Sequence, residues 1–230
     1  MVICKIRSNQ NANWKVFATS MNEYFFNDQF NASQMDYLWA HGWRHFGEYF
    51  FRYSRVDEKH VTPLRIDLSA FQLSTSLKRI LKTNSDLEVV IREAFLDEEK
   101  EALFQRHKIR FTENVPDSIY DFLSSTPARI PCETKEVCLF QNGALLGVSF
   151  LDLGEHSTSS VYSIFEPEIK QRSLGIFLIL NSIRYSMELG KRFYYLGYAY
   201  REPSHYDYKK RFSGLEVYEW GTQWIAGNSS

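Results

Sequence analysis

Little in this chain is long, repeated or one-sided, and each shortage removes a class of protein. The 230 residues include three cysteines, Cys4, Cys132 and Cys138, which form neither an even framework nor a CxxC pair. That argues against a disulfide scaffold, and a reduced, cytoplasmic protein is the simplest fit. The longest apolar run, IFLIL at Ile176–Leu180, falls far short of the roughly 20 residues that cross a bilayer, so no membrane partner is expected. The opening MVICKIRSNQ has no long apolar core, and no signal peptide is expected from it. A formal net charge of −1 gives no global nucleic-acid signature, although a local basic patch is compatible with it. Repeats and low-complexity linkers are missing too, so no clean domain boundary is visible. A loose one is expected between Glu113 and Pro131, separating an N-terminal region, residues 1–115, from a C-terminal catalytic region, residues 116–230. What the chain has in abundance is aromatic side chains, 16% of the total, and some are expected to line a pocket rather than fill the core.

The most informative stretch runs from Ser159 to Gly214. SSVYSIF, Ser159–Phe165, reads as a strand, and Glu166-Pro167 stops it because proline has no ladder donor. Arg172–Gly190 is apolar around most of its circumference and closes on a glycine suited to a left-handed helix end. FYYLGYAY, Phe193–Tyr200, returns as a second strand, which completes a strand–helix–strand crossover. Arg172 stands where a cation opposes the helix dipole, and so reads as placed for a ligand. The N–H groups around Ser173, Leu174 and Gly175 would complete an anion cradle. An ordinary turn with a solvated arginine is the competing reading.

Earlier in the chain, Trp14–Thr19 reads as an edge strand. Asn31–Gln34 resembles a capping box ahead of MDYLWA, with Gly42 ending that helix. Tyr49–Tyr53 reads as a strand after a glycine-marked turn, and Asp57–His60 as a loop. Pro63–Leu68 is expected as a strand with proline at its start. Ser74 caps a helix whose Lys78, Arg79 and Lys82 form a basic face, either solvated or turned to phosphates. LEVVIREAF is a strand, Asp97 caps the next helix, and Pro116 fits the first turn of another through IYDFL. Asn142-Gly143 is the strongest hairpin signal, joining residues 135–141 and 144–153.

Antiparallel strands followed by loop, helix and strand match the acyl-transfer fold of the Gcn5-related N-acetyltransferases. The expected class is therefore α/β of the mixed-sheet α+β type, GNAT-like, with an N-terminal strand and helix region. The usual pyrophosphate loop of that fold reads Gln/Arg-x-x-Gly-x-Gly/Ala, and Phe177 in the third position argues against a coenzyme A donor. Several separated segments instead resemble the arginyl- and leucyl-tRNA–protein transferases: Gln171–Gly175, Ile176–Leu180, Tyr194–Tyr198 and Tyr208–Phe212. Ser159–Pro167, the GWRHFGEYFFR segment and Pro63–Ile66 with Phe71, Ser76, Lys78 and Arg79 follow the same signature. Ordered motifs over most of the chain are far more specific than one alone.

The resemblance implies aminoacyl transfer from a charged tRNA, arginyl-tRNA first among them, to an amine on a protein N-terminus, a peptide or a small molecule, with no cofactor. Acyl-coenzyme A transfer and a non-catalytic tRNA- or peptide-binding module are the alternatives. The cysteines that family members carry between the Arg-Arg-x-Gly and Pro-Leu-Arg blocks have no counterpart in Arg55–Thr62, so no structural metal is expected. Glu202–Asp207 also departs from the family loop, which leaves acceptor identity open. The reaction needs an ester held near a neutral amine and a stabilised oxyanion. Glu166, Tyr162, Tyr198 and Asp152 are the candidate catalytic residues: the carboxylates for an ammonium, the tyrosines to orient the ester or stack on adenine. Arg172, Ser173, Gly175, Gly197, Tyr208, Lys209, Arg211 and Arg44 are the candidates for holding the tRNA and its aminoacyl end. Gly197, inside a strand, marks a bulge or a close backbone approach.

Overall fold

The computed structural model describes residues 22–56, 58–112, 115–204 and 206–227. Trp14–Thr19 and Cys4 lie outside the described residues. A three-stranded sheet, in the order β1-β3-β2, is built from β1 (Asn22–Phe26), β2 (Arg44–Phe46) and β3 (Tyr49–Tyr53). Between β1 and β2 lies helix α1 (Ala32–Ala40), opened by the expected capping box of Asn31 and Gln34. Gly42 follows it at φ +81°.

The larger sheet has nine strands among the described residues: β4 (Arg55–Val56), β5 (Lys59–Asp67), β6 (Glu88–Glu93), β7 (Thr134–Gln141), β8 (Ala144–Leu153), β9 (Ser157–Phe165), β10 (Phe193–Tyr200), β11 (Leu215–Tyr218) and β12 (Trp224–Ala226). Its order is β12-β11-β5-β10-β9-β8-β7-β6, with β4 paired to β5. This is the mixed α+β architecture expected. β5 and β6, from the first half of the chain, share this sheet with β7–β10. The β7–β8 hairpin turns at Asn142 (φ 51°) and Gly143 (φ 83°), the double positive φ of a tight hairpin turn.

Three expectations need correction. Lys59 and His60 belong to β5 rather than to a loop. Pro63 therefore sits inside the strand, opposite Tyr198 and beside an irregularity in the β10 ladder. It is tolerated because β11 begins pairing only at Leu64, so its missing N–H breaks no bond on that side. The segment after Pro116 makes only a single 3₁₀ turn, Ile119–Asp121, capped by Ser118.

Helices α2 (Thr75–Thr83) and α4 (Leu174–Glu188) cover one face of the sheet, and α3 (Glu98–Lys108) packs on the other. Leu174, Phe177 and Leu178 of α4 meet Val137 and Leu139, while Ile179, Leu180 and Ile183 meet Leu64, Ile66 and Tyr194. Each such side chain contributes about 1.5–3 kcal/mol through burial. Met35, Leu38 and Trp39 of α1 join Phe50 against Tyr195, which fixes the small sheet to the large one. None of the described helices is long and apolar enough to cross a membrane.

Candidate functional site at the diverging strands

The crossover strands separate almost as soon as they meet. β9 and β10 pair in parallel only at Ser157–Ser159 with Phe193–Tyr195. Beyond that point β9 stays with β8 as far as Phe165, and β10 stays with β5 as far as Tyr200. An opening is left between residues 160–165 and 196–200.

Arg44 reaches into that opening from β2. It is 7% exposed, its Nη2 lies 3.4 Å from the Ser160 carbonyl and 3.5 Å from that of Tyr195, and its Nη1 has no partner among the described residues. Burial pushes the guanidinium below its usual range, and no carboxylate among the described residues forms an ion pair with it. Lys209, on the 3₁₀ segment Asp207–Arg211, donates through Nζ to the Tyr198 carbonyl at 3.1 Å. Burial, and then the charge of Arg44, bring its pKa down to about 7. Gly197 lies between them at φ +87°, where β10 breaks register against β5. A Cβ there would stand 3.4 Å from Lys209 Nζ and 3.6 Å from Arg44 Nη2. The glycine thus forms a bulge, as its place in the strand implies, and the bulge admits two cations.

Tyrosines of β9, β10 and the 3₁₀ segment lie around the opening. Tyr198 donates its hydroxyl to the Gly42 carbonyl at 2.7 Å, and burial pushes its pKa up. Tyr162 stacks on Phe122 with centroids 3.8 Å apart, and its buried hydroxyl has no partner. Tyr208 is raised to about 12, mainly by burial. Tyr206, which sequence reasoning passed over, places its ring 5.1 Å from Lys209 Nζ. Arg110, also missed, stands at the end of α3 with its guanidinium 4.5 Å from the centre of the Phe165 ring. Neither sits in a motif, so only the fold brings them here. Arg211 is exposed.

Other expected site residues are engaged elsewhere. Asp152 is fully buried and accepts from His45 Nε2 at 2.6 Å and Thr134 Oγ1 at 2.7 Å. His45 Nδ1 also lies 3.0 Å from the Gly47 carbonyl, so both ring nitrogens are held in place. Asp152 is therefore a structural tie between β2, β7 and β8 rather than a carboxylate facing substrate. Glu166 turns toward α3 and accepts from Arg106 Nε at 2.8 Å, which takes it out of the ammonium-binding position expected. Arg172 forms a two-pronged pair with Asp86 at 2.8 and 2.9 Å, tying the crossover loop to the loop after α2. It is a cross-brace and not a free anion ligand.

The helix start also differs from expectation in detail. Ser173 is left-handed at φ 52°. Gly175 is required because a Cβ there would come within 2.8 Å of the Phe165 ring. Phe177 is buried in the core with Leu174 and Leu178, so it does not block the loop; the ring that fills the space beside Gly175 is Phe165. Cys132 and Cys138 are buried, free thiols, and burial pushes both above the usual thiol range.

Comparison with known proteins identifies the family. Residues 99–219 match the family model of the arginine-tRNA-protein transferase C terminus. An aspartate/glutamate leucyltransferase of Leptospira interrogans is 31% identical over 206 residues, covering 87% of this chain and 80% of the relative. One of Ruegeria pomeroyi is 32% identical over 191 residues, covering 80% and 69%. Among solved structures, L-PGS of Bacillus licheniformis overlaps 70% of this chain and 60% of its own with a TM-score of 0.47 at 10% identity. The family match over the whole crossover, with relatives above 30% identity along most of both chains, places this protein in the arginine-tRNA–protein transferase family, whose members move an aminoacyl group from tRNA to protein.

Proposed function

We propose that the protein transfers leucine from leucyl-tRNA to the α-amine of a protein whose first residue is aspartate or glutamate. The observation that carries this reading is the pair Arg44 and Lys209, two partly or wholly buried cations that meet at the opening with no carboxylate among the described residues paired to either. A buried cation without a counter-ion is costly, and an acidic side chain entering the opening relieves that cost. Arginine, the amino acid first expected, fits less well. The nearby carboxylates Asp152, Glu166 and Asp207 are already engaged by His45, Arg106 and Lys210, which leaves a guanidinium donor facing like charge. The names of the curated relatives, which specify leucine and acidic acceptors, support the same choice.

In the reaction the neutral amine attacks the ester carbonyl, an amide C–N bond forms, and the bond between the carbonyl carbon and the ribose oxygen breaks. The proton shed by the amine goes to the departing ribose oxygen, so the step balances without a further reactant. Holding the acceptor by its acidic side chain places the adjacent amine beside the ester, an effect of position more than of proton transfer. The test offers leucyl-tRNA or arginyl-tRNA with peptides beginning in Asp, Glu, Ala or Lys and weighs the products. Leucine added to the Asp and Glu peptides alone is expected. Arginine addition, or equal modification of the Lys peptide, would overturn the reading.

A further inference from the structure

Apart from Arg44, the transfer chemistry leaves one face of the small sheet without a role. In the β1–β3 register Tyr24 stands opposite Phe51 and Phe26 opposite Tyr49, and in β2–β3 Arg44 stands opposite Phe51. Directly opposed residues share a face, so Tyr24, Phe26, Tyr49, Phe51, Tyr53 and Arg44 lie together. Phe25 and Phe50, on the other face, are stacked into the core.

These rings form a continuous track. Centroids lie 5.2 Å apart from Phe26 to Tyr49, 5.6 Å from Tyr49 to Phe51, and 6.0 Å from Phe51 to Tyr198 at the opening. Exposure falls along the same line, from 68% at Phe26 through 38% at Tyr49 to 6% at Phe51. Tyr24, 44% exposed, flanks the outer end. The inner end meets Arg44, buried, with Nη1 unpartnered. A surface that starts in solvent and narrows to a buried, unsatisfied donor is suited to a chain that threads its end inward.

We propose that this face is a stacking platform for the unpaired 3′ nucleotides of the donor tRNA, which lie along it and deliver the terminal ester to the opening. The proposal rests on the tRNA-dependent reading above. Every base has a flat face, so such a platform holds single-stranded RNA whatever its sequence, and each base–ring contact is worth about 1–3 kcal/mol. Duplex RNA cannot use it, because its bases are already stacked on one another.

The test compares binding of uncharged leucine tRNA with the same tRNA trimmed back to its acceptor stem. Wild-type protein is expected to lose at least about tenfold in affinity on trimming. Phe26→Ala and Tyr49→Ala are each expected to lose about tenfold for intact tRNA and nothing for the trimmed form. Phe26→Trp, which keeps a ring, is expected to bind like wild type and excludes a folding defect. Tyr37→Ala, which removes a 63%-exposed ring on α1 away from the track, is expected to have no effect. Alanine variants that bind intact tRNA normally, or that weaken intact and trimmed tRNA alike, would overturn the platform. If wild type still transfers leucine from tRNA in that case, the platform alone has failed; a wild type that binds no tRNA sinks both.

Discussion

Arg44 and Lys209 converge on the Gly197 bulge from separate elements, β2 and the 3₁₀ segment after β10, and among the described residues no carboxylate forms an ion pair with either. Their sharing of one small space is the basis of the acidic-acceptor recognition proposed above. Arg44→Gln keeps donors for the two strand carbonyls but removes the charge. It is expected to lower kcat/KM for Asp- and Glu-initiated peptides by about 30-fold or more, the effect of losing a charged hydrogen bond of about 2–3 kcal/mol. A control peptide beginning with Ala is expected to change little, and thermal melting checks that the fold is intact.

Lys209 gives the site a pH dependence whose sign is fixed. Its pKa of about 7 means that the ammonium is present below neutrality and lost above it. KM for acidic peptides is therefore expected to rise from pH 6 to pH 8.5, and Lys209→Arg is expected to flatten the profile. Stability runs the other way: the unfolded chain holds this proton up to about 10.5, so stability is fully present above that pH and declines as pH falls through about 7. Lys209→Met is expected to raise the melting temperature at pH 6, as followed by circular dichroism.

Gly197→Ala sets a side chain on a backbone at φ +87° and within 3.4 Å of Lys209 Nζ. The expected outcome is a loss of about 1–2 kcal/mol in urea unfolding, from the positive φ. A larger proportional fall in kcat/KM is expected as well, because the cations are pushed from their places.

Asp152→Asn separates a structural carboxylate from a catalytic one. The amide cannot accept from both His45 and Thr134 as the carboxylate does, and an unsatisfied buried polar group costs about 1–3 kcal/mol, so a drop in the urea midpoint is expected. At low temperature, where the variant stays folded, kcat is expected to remain within a few-fold of wild type. A stable protein with abolished turnover would return Asp152 to the catalytic set.

Arg172→Ala tests the corrected role of the crossover arginine. Breaking its exposed two-pronged contact with Asp86 is expected to lower the melting temperature only slightly, with tRNA affinity unchanged within twofold in filter binding. A strong and selective loss of tRNA binding would restore the anion-cradle reading.

The crossover, the Asn142-Gly143 hairpin and the α1 and α3 caps were legible because each depends on a local rule: period, turn chemistry or a side chain reaching its own backbone. Gly197, Lys209 and Arg44 were legible as site candidates through motifs. What the sequence hid was which polar residues would find one another across it. Asp152 and His45 are 107 positions apart, and Arg172 and Asp86 are 86 apart, so no window contains both members. Glu166 lay at the expected strand end, but its direction depended on Arg106 of α3. Phe177 carried the wrong argument for the right region, because the helix rotates it inward and leaves Phe165 beside Gly175.

The divergence of β9 from β10 constrains how this enzyme can change. Where two strands part, the facing carbonyls of Ser160 and Tyr195 lose the partners a sheet would supply, and one side chain, that of Arg44, spans the gap toward both. Architecture and recognition therefore share a residue. An apolar replacement leaves two oxygens stranded, and a shorter amine reaches only one. Routes to a new acceptor that leave Arg44 in place, through Lys209, Tyr206 or the loop before them, stay open to gradual change, whereas routes through Arg44 must solve a problem of sheet construction at the same stroke.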